Sequence, residues 1–399
     1  MRIKKALLPK KRKKETWFKY IIRLLHLWLG LSVSIIVLIV CLTGSLYAFK
    51  NQINDLINHD KVFVEVPESK EISIAEIEQF FHKKKCTVKS MVIPESPNRS
   101  YSISFSEEGS SFVKTHYFNP YTLELLGYGD DKLESFFRFI LDVHKTLYIP
   151  EIGKQVVGIA SLIFCFLLLS GIILWIPKTL RSLKTGLTVK WKAKFHRINY
   201  DMHKTFGFYS FLMLLFIALT GLYITYPWMK NMFIVSLGGN PVLTSDASKE
   251  ANDELSADFS KMLEQMLDKE NDKETLQNVK SIPFDSIYKL SNKNLPYRAT
   301  TSIMAPNEKD SEFKVTKINT QNWLGAMLPD ELSFDKTGQL KVSEKFLDKP
   351  LHKQFIQISK PLHTGEILGW KSVLLYFTVS LIGVSLPITG FIIWWKKAK

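Results

Sequence analysis

The stretch from His203 to Gly221, HKTFGFYSFLMLLFIALTG, indicates the fold because its pattern occurs twice in the chain. The stretch from His26 to Gly44 reads HLWLGLSVSIIVLIVCLTG. In each stretch a glycine follows the histidine by four residues, and Thr-Gly follows it by seventeen. Each stretch overlaps a segment without Asp, Glu, Lys or Arg, residues 24–49 or 205–229, that exceeds the ~20 residues a helix needs to cross a membrane. The match therefore predicts two related transmembrane helices.

Two further uncharged segments form a second matching pair. His144 precedes Gly171 by 27 residues, and His363 precedes Gly390 by the same 27. A small hydroxyl residue stands before each of these glycines, and a tryptophan follows each by four residues. We therefore predict an α-helical membrane protein whose four transmembrane helices form two parallel tandem repeats. The predicted spans are residues 24–49, 154–177, 205–229 and 371–395.

The positive charge of the chain is concentrated beside these spans. The net charge is +15, and residues 1–23 hold ten Lys or Arg against one acid, while residues 178–204 hold eight against one. The tail 396–399 adds three lysines. The positive-inside rule then places both termini and the 178–204 loop in the cytoplasm. Basicity of this kind reflects topology, so no nucleic-acid partner is expected.

The polar segments 50–153 and 230–370 then face the outside, and we predict that they fold as two small α+β domains. Ser73 is a plausible N-cap for the helix ISIAEIEQFFHKKK, and SMVIPES, YSISFSE and KTHYFN alternate like strands. ATTSIMA and EFKVTKIN are strand-like in the second segment, where Asp335 and Gly338 indicate a turn and EANDELSADF an exposed helix. Cys86 is the one external cysteine, so no intrachain disulfide is expected there.

Four histidines at the ends of the spans form the candidate site. His26 and His203, the 26/203 pair, are expected near the cytoplasmic face, and His144 and His363, the 144/363 pair, near the outer face. Equivalent imidazoles that meet on a shared axis can ligate haem iron from both sides. Solvated histidines and cofactor-free packing by Gly and Thr are the alternative interpretation. For the 144/363 pair, 27 residues of straight helix would be too long, so we predict bends near Pro150 and Gly365–Gly369.

Four glycines accompany these histidines. Gly30 and Gly207 lie about one helical turn from the 26/203 pair, where a missing side chain would admit a macrocycle. Gly44 and Gly221 are expected to make room for a second group in the outer leaflet. His196 is an alternative ligand for the inner site. The remaining histidines have no repeat partner and are predicted to be surface residues: His59, His82, His116 and His352.

The chain resembles the PepSY-associated transmembrane protein family, which includes bacterial iron-regulated membrane proteins and ferric-siderophore reductases. The residues that carry the resemblance are YDMHKTFGFY…ALTG around His203, its twin RLLHLWLG…CLTG, and the PepSY-like ending FNPYTLELLG. The resemblance implies an inner-membrane protein that holds two b-type haems and passes electrons outward to ferric iron in a periplasmic siderophore. It implies His203 and His26 as inner ligands, and His144 and His363 as outer ligands. The second external segment departs from the PepSY pattern.

The functional hypothesis is therefore a ferric-siderophore reductase, with the catalytic residues unassigned. The cytoplasmic segments are too short for a nicotinamide or flavin domain and contain no GxGxxG, so a quinol or a separate reductase would donate electrons. One alternative is a non-enzymatic membrane anchor whose PepSY-like modules bind peptide or protein partners. Others are an iron or siderophore importer and electron delivery to a different periplasmic acceptor.

Overall fold

The computed structural model describes residues 10–13, 15–68, 71–107, 113–177, 180–241, 282–307 and 311–398. The helix predicted for EANDELSADF lies outside these residues. The chain forms two compact units. The membrane unit comprises Met1–Lys50, Ser135–Lys230 and Ser359–Lys399, and the sheet unit comprises Asn51–Glu134 and Asn231–Ile358.

Helices make up the membrane unit and flank the strands of the sheet unit. The helices described are α1 Trp17–Ala48, α2 Lys50–Ile57, α3 His59–Val62, α4 Ile74–Lys83, α5 Asp131–Thr146, α6 Ile152–Trp175, α7 Leu180–Gly186, α8 Phe195–Thr225, α9 Pro227–Ser236, α10 Phe284–Asn294, α11 Leu351–Thr364 and α12 Trp370–Ala398. Short 3₁₀ turns occur at Phe346–Asp348 and Glu366–Leu368. The strands are β1 Cys86–Ile93, β2 Tyr101–Glu107, β3 Val113–Phe118, β4 Leu125–Gly127, β5 Thr301–Met304, β6 Phe313–Asn319, β7 Leu328–Phe334 and β8 Leu340–Glu344.

Four helices of the described chain are long and apolar enough to cross a membrane: α1, α6, α8 and α12. They coincide with the four predicted spans, which confirms a helical membrane protein. They form a ring in which α1 and α8 each contact both α6 and α12. Small residues allow close packing, and at Gly383 of α12 an added Cβ would lie 3.0 Å from Cys41 Sγ and 3.2 Å from Leu214 Cδ2.

The chain bends sharply before α6 and before α12. Helix α5 ends at Thr146, and Leu147, Tyr148 and Glu151 then adopt positive φ values before α6 begins at Ile152. Before α12, Gly365 and Gly369 take positive φ values of 84° and 69° on either side of a 3₁₀ turn. Glycine adopts this backbone conformation without steric cost. The bends therefore occur where the sequence predicted them.

The strands of both polar segments form one eight-stranded sheet, which corrects the prediction of two separate α+β domains. Its order is β4-β3-β2-β1-β5-β6-β7-β8, and β1 pairs antiparallel with β5. In each polar segment a helix, α4 or α10, is directly followed by a four-stranded meander. The first strands of the two meanders, β1 and β5, pair in the middle of the sheet. The pairing covers two strand edges that would otherwise be exposed. A single sheet results because each half supplies the edge partner that the other half needs.

Described residues from both halves of the sheet share a hydrophobic core. Met91 on β1 and Ile303 on β5 are directly paired and fully buried. The same core contains Phe81 of α4 and Ile287 of α10, so both helices cover this face of the sheet. Helix α4 begins as predicted, because Ser73 and Glu76 form a reciprocal capping box.

Candidate functional site

Helices α1 and α8 present the 26/203 pair to the neighbouring helices α6 and α12. His26 Nδ1 lies 2.8 Å from Ser170 Oγ on α6, and an added Cβ on Gly171 would lie 3.5 Å from His26 Cε1. His203 makes the same contacts with α12: its Nδ1 lies 2.8 Å from Thr389 Oγ1, and a Cβ on Gly390 would lie 3.3 Å from His203 Cε1. Each imidazole therefore rests against a glycine and is hydrogen-bonded to the hydroxyl residue before it.

The 144/363 pair is held in a related way, by helices α1 and α8. His144 Nδ1 lies 3.0 Å from the Val40 carbonyl oxygen and 3.2 Å from Thr43 Oγ1. A Cβ on Gly44 would approach His144 Cε1 to 3.0 Å, which is too close for an ordinary contact. These contacts bring His144 back against α1, as the predicted bend requires.

His363 repeats this arrangement on α8. Its Nδ1 lies 3.0 Å from the Ile217 carbonyl oxygen and 3.1 Å from Thr220 Oγ1. A Cβ on Gly221 would lie 2.9 Å from His363 Cε1. We call each hydroxyl-glycine dipeptide a histidine seat. The seats are Thr43-Gly44, Ser170-Gly171, Thr220-Gly221 and Thr389-Gly390.

The hydrogen bonds fix the tautomer of all four imidazoles. A carbonyl oxygen only accepts, so Nδ1 of His144 must donate a proton to Val40, and Nδ1 of His363 must donate to Ile217. The hydroxyls of Ser170 and Thr389 donate to helix carbonyls of their own, at 3.0 Å and 2.8 Å, and are left to accept from Nδ1.

In every case Nε2 then carries the lone pair. Across the described residues, Nε2 of none of the four histidines makes a hydrogen bond. An imidazole that is oriented through Nδ1–H and has an unengaged Nε2 is typical of a metal ligand.

The two rings of the 144/363 pair have the spacing of a shared metal site. Their centroids are 6.2 Å apart and their planes are inclined by 53°. Two imidazoles that bind one metal ion from opposite sides have ring centres about 6 Å apart, because each metal–nitrogen bond is about 2 Å long. In the described part of the chain, no group of three or more His, Cys, Asp or Glu could hold a metal ion. The donor set is therefore two nitrogens, which suits a metal whose other ligands belong to a macrocycle.

The 26/203 pair belongs to helices on opposite sides of the four-helix ring. His26 on α1 is close enough to His203 on α8 to interact electrostatically. The seat on α12 is further fixed by Asn199 of α8, whose amide donates to the Thr389 carbonyl oxygen at 3.0 Å. Position 22, the counterpart of Asn199 in the first repeat, is Ile22.

The four predicted glycines have two different surroundings. Gly44 and Gly221 accommodate the imidazoles themselves, whereas the sequence predicted that they make room for a second group beside the histidines. The close approach of each ring to its glycine explains the difference. At Gly30 and Gly207 an added Cβ would meet only Leu167 Cδ2 at 3.7 Å and Leu386 Cδ2 at 3.6 Å, which are ordinary contacts. Their proposed role beside a macrocycle stays a prediction.

The other histidines lie apart from the four seats. His196, the alternative inner ligand, is exposed at the start of α8 and contacts the ring of Phe195. His59 and His82 are exposed, as predicted. His116 and His352 are partly buried in the sheet unit, which differs from the predicted surface positions. His116 is partly buried because its ring stacks on Phe105, with centroids 5.1 Å apart.

Sequence reasoning identified the histidines but missed what holds them. The hydroxyl residues Ser170 and Thr389 were noticed as part of the repeat, yet no role followed from their spacing. The Val40 and Ile217 acceptors are backbone carbonyl oxygens, which every residue has, so no residue type in the sequence indicates them. The recurrence of a hydroxyl residue before glycine in all four spans was the available signal.

Four membrane-spanning helices and two pairs of seated histidines define a helical membrane protein with candidate ligand pairs inside its bundle. The chain belongs to the family described as the PepSY-associated TM region, whose sequence profile matches residues 23–397. No curated protein matches the chain.

Proposed function

We propose that this chain is a two-haem electron conduit of the bacterial inner membrane that reduces ferric iron held by a periplasmic siderophore. The observation that carries the proposal is the orientation of His26, His203, His144 and His363. Each has Nδ1–H fixed by an acceptor and Nε2 unengaged among the described residues. Two such pairs suit two b-type haems, with bis-histidine ligation at each.

The residues present fit this group. The donor atoms are imidazole nitrogens, and the 6.2 Å separation of His144 and His363 ring centres suits one iron. Bound haem would supply one-electron chemistry at the two ends of the bundle. The chain contributes the orientation of the ligands and apolar helix surfaces, which include Leu167 beside Gly30 and Leu386 beside Gly207.

We further propose the orientation of the chain and the origin of its halves. The basic segments 1–23 and 178–204 favour cytoplasmic termini with the sheet unit in the periplasm. The matched histidine seats, and the helix-plus-meander order of both polar segments, favour parallel tandem repeats with PepSY-like external modules. Labelling of single cysteines with a membrane-impermeant maleimide tests the orientation, since Cys86 should react in intact spheroplasts and a cysteine at Ser182 should not.

The substrate would be a ferric chelate, and the electron donor a quinol or a separate reductase. Ferrous iron binds hard oxygen chelators more weakly than ferric iron does, so one-electron reduction favours release. A cleft of about 930 Å³ in the sheet unit has a size common for small-molecule sites. Its lining combines aromatic, cationic and anionic side chains: Glu71, Tyr101, Tyr288, Lys289, Tyr297 and Arg298.

We assign this cleft as the candidate chelate site. Arg298 uses Nε to bind the Glu95 carbonyl oxygen at 2.9 Å, and no bond from its terminal nitrogens is found among the described residues. A guanidinium of this kind suits anionic oxygens. Substitution of Arg298 by alanine should raise KM for a ferric siderophore several-fold and leave the haem content unchanged. An unchanged KM would remove the cleft from the proposal.

The function is tested by haem content and by reduction. Purified wild-type protein should contain two haems, and His203→Ala or His363→Ala should each retain about one. His196→Ala is the matched control and should retain both. After anaerobic reduction, the wild type should be reoxidised by ferric siderophore and yield ferrous iron. A colourless wild type would instead favour the non-enzymatic anchor. A haem-loaded protein that is not reoxidised would favour another acceptor.

A further inference from the structure

The two histidine pairs differ in the group that accepts their Nδ1 proton. In the 26/203 pair the closest acceptors are hydroxyls, Ser170 Oγ and Thr389 Oγ1, each at 2.8 Å. In the 144/363 pair the closest acceptors are backbone carbonyls, each at 3.0 Å, and the threonine hydroxyls are more distant at 3.2 and 3.1 Å. The difference holds for both members of each pair.

The hydroxyls at the 26/203 pair also connect the imidazoles to the helix backbone. Ser170 Oγ donates to the Leu167 carbonyl oxygen at 3.0 Å. Thr389 Oγ1 donates to the carbonyl oxygens of Ser385 at 2.8 Å and Leu386 at 3.1 Å. Each hydroxyl therefore accepts from a histidine while it donates to a carbonyl. Chains of this kind polarise their members and strengthen the hydrogen bond from Nδ1–H.

We propose that Ser170 and Thr389 are positioning residues that set the electron-donating strength of His26 and His203 without affecting the 144/363 pair. This inference rests on the proposed haem ligation. An acceptor for Nδ1–H makes an imidazole a more basic ligand, which stabilises the oxidised metal and lowers its reduction potential. Removal of the hydroxyl should therefore raise the potential of the haem at the 26/203 pair.

The seats Thr43-Gly44 and Thr220-Gly221 provide a matched comparison within the same molecule. Their hydroxyls donate to carbonyls of their own helices, Thr43 to Ile39 at 2.7 Å and Thr220 to Phe216 at 2.9 Å. Without these hydroxyls His144 still has the Val40 carbonyl, and His363 still has the Ile217 carbonyl, each at 3.0 Å. The corresponding carbonyls of Leu167 and Leu386 lie near His26 and His203, but no hydrogen bond from Nδ1 to either is found among the described residues. Equivalent substitutions at the four seats should therefore have unequal effects on the two haems.

The experiment is an optical redox titration of the full chain in detergent. The component lost in His203→Ala identifies the haem at the 26/203 pair. In Ser170→Ala/Thr389→Val this component should shift to a more positive potential, while the second component stays unchanged. In Thr43→Val/Thr220→Val neither component should shift appreciably. The conservative variant Ser170→Thr/Thr389→Ser keeps both hydroxyls and should titrate like the wild type.

The outcomes separate this inference from the proposed function. A wild type without haem refutes the haem proposal itself. With two haems bound, an unchanged potential in Ser170→Ala/Thr389→Val overturns the positioning role, as does an equal shift in Thr43→Val/Thr220→Val. If Ser170→Ala/Thr389→Val loses one haem, retention of that haem in Ser170→Thr/Thr389→Ser supports the role of the hydroxyl. Loss from both variants would show that the seat depends on side-chain shape and would overturn the inference.

Discussion

At the scale of single residues, the hydroxyl-glycine dipeptide explains how a membrane helix can hold an imidazole from its neighbour. The glycine removes the side chain that would occupy the position of the ring, and the preceding hydroxyl residue is hydrogen-bonded to Nδ1. Four such dipeptides hold four histidines, and the contacts are closest at Gly44 and Gly221. A polar ring inside the bundle thus obtains a partner for Nδ1, which is costly to leave unpaired in an apolar environment.

The first prediction concerns the glycine beneath His363. A methyl group at position 221 would lie 2.9 Å from His363 Cε1, so Gly221→Ala must displace the ring or separate α8 from α11. We expect it to remove most of one haem and to destabilise the protein by about 1–3 kcal/mol, as overpacking does. Haem content and thermal unfolding in detergent measure both effects.

Gly129→Ala is the control for this substitution. An added Cβ at Gly129 would have no neighbour within 4 Å, so this variant should retain both haems. If Gly221→Ala binds two haems with unchanged potentials, the seat does not determine the position of His363.

The second prediction tests the role of Gly30 beside a macrocycle. The protein leaves room for a methyl group there, because the nearest atom is Leu167 Cδ2 at 3.7 Å. Any loss of haem in Gly30→Ala would therefore come from a clash with the cofactor. We expect about one haem per chain and an unfolding temperature, measured on protein stripped of haem, equal to that of the wild type. Retention of both haems would leave Gly30 with a packing role only.

At the scale of secondary-structure elements, the sheet unit depends on pairing between strands far apart in the chain. Met91 and Ile303 are opposite each other, more than 200 residues apart in sequence. Each half of the sheet alone would leave its first strand, β1 or β5, with an unpaired edge. An unpaired strand edge favours association with other chains. Pairing of β1 with β5 solves this problem within one chain.

The third prediction is that a disulfide can link β1 to β5. Val92 and Ser302 are directly paired and only partly buried, so cysteines at both positions should oxidise to a crosslink. Non-reducing peptide mapping in a Cys86→Ser background would detect it. Val92→Cys combined with Thr316→Cys is the control, since Thr316 is one strand further away at about 9.5 Å. A crosslink in the control alone would contradict the strand order.

The fourth prediction concerns a buried cation in the sheet. Lys317 on β6 is 1% exposed, and its Nζ binds Asn292 Oδ1 and the carbonyl oxygens of Leu295 and Tyr297 at 2.7–2.8 Å. Burial lowers the pKa of Lys317. Lys317→Ala would leave these acceptors unpaired and should destabilise the sheet unit by about 3 kcal/mol.

Lys314 lies on the same strand and is exposed, so Lys314→Ala should change stability by less than about 0.5 kcal/mol. Denaturant titration followed by hydrogen exchange of the strands compares the two variants. Equal stability of the two variants would show that the Lys317 contacts contribute little.

The sequence predicted some elements well because their signals are local. The four spans follow from the absence of charge, the bends from the excess length between histidine and glycine, and the start of α4 from Ser73. The single sheet could not be predicted, because the register of β1 against β5 depends on contacts between distant segments. The partner of each glycine was missed for the same reason: Gly44 is adjacent to His144 only after the chain has turned back.

At the scale of the whole molecule, two compact units have different tasks in the proposed function. The membrane unit holds all four candidate ligands, and the sheet unit holds the candidate chelate cleft. Two ligand pairs toward opposite ends of one bundle favour electron transfer across the membrane. In the proposed function, a membrane quinol or a partner reductase would deliver the electrons.

The fifth prediction is also the most direct test of haem ligation. The absorption spectrum of the purified full-length chain should be recorded oxidised and then reduced with dithionite, together with a haem assay. We expect sharp bands of low-spin, six-coordinate haem, two haems per chain, and loss of one band set in His203→Ala and of the other in His363→Ala. A featureless visible region after expression with sufficient haem, or haem that persists when all four histidines are replaced by alanine, would contradict the account.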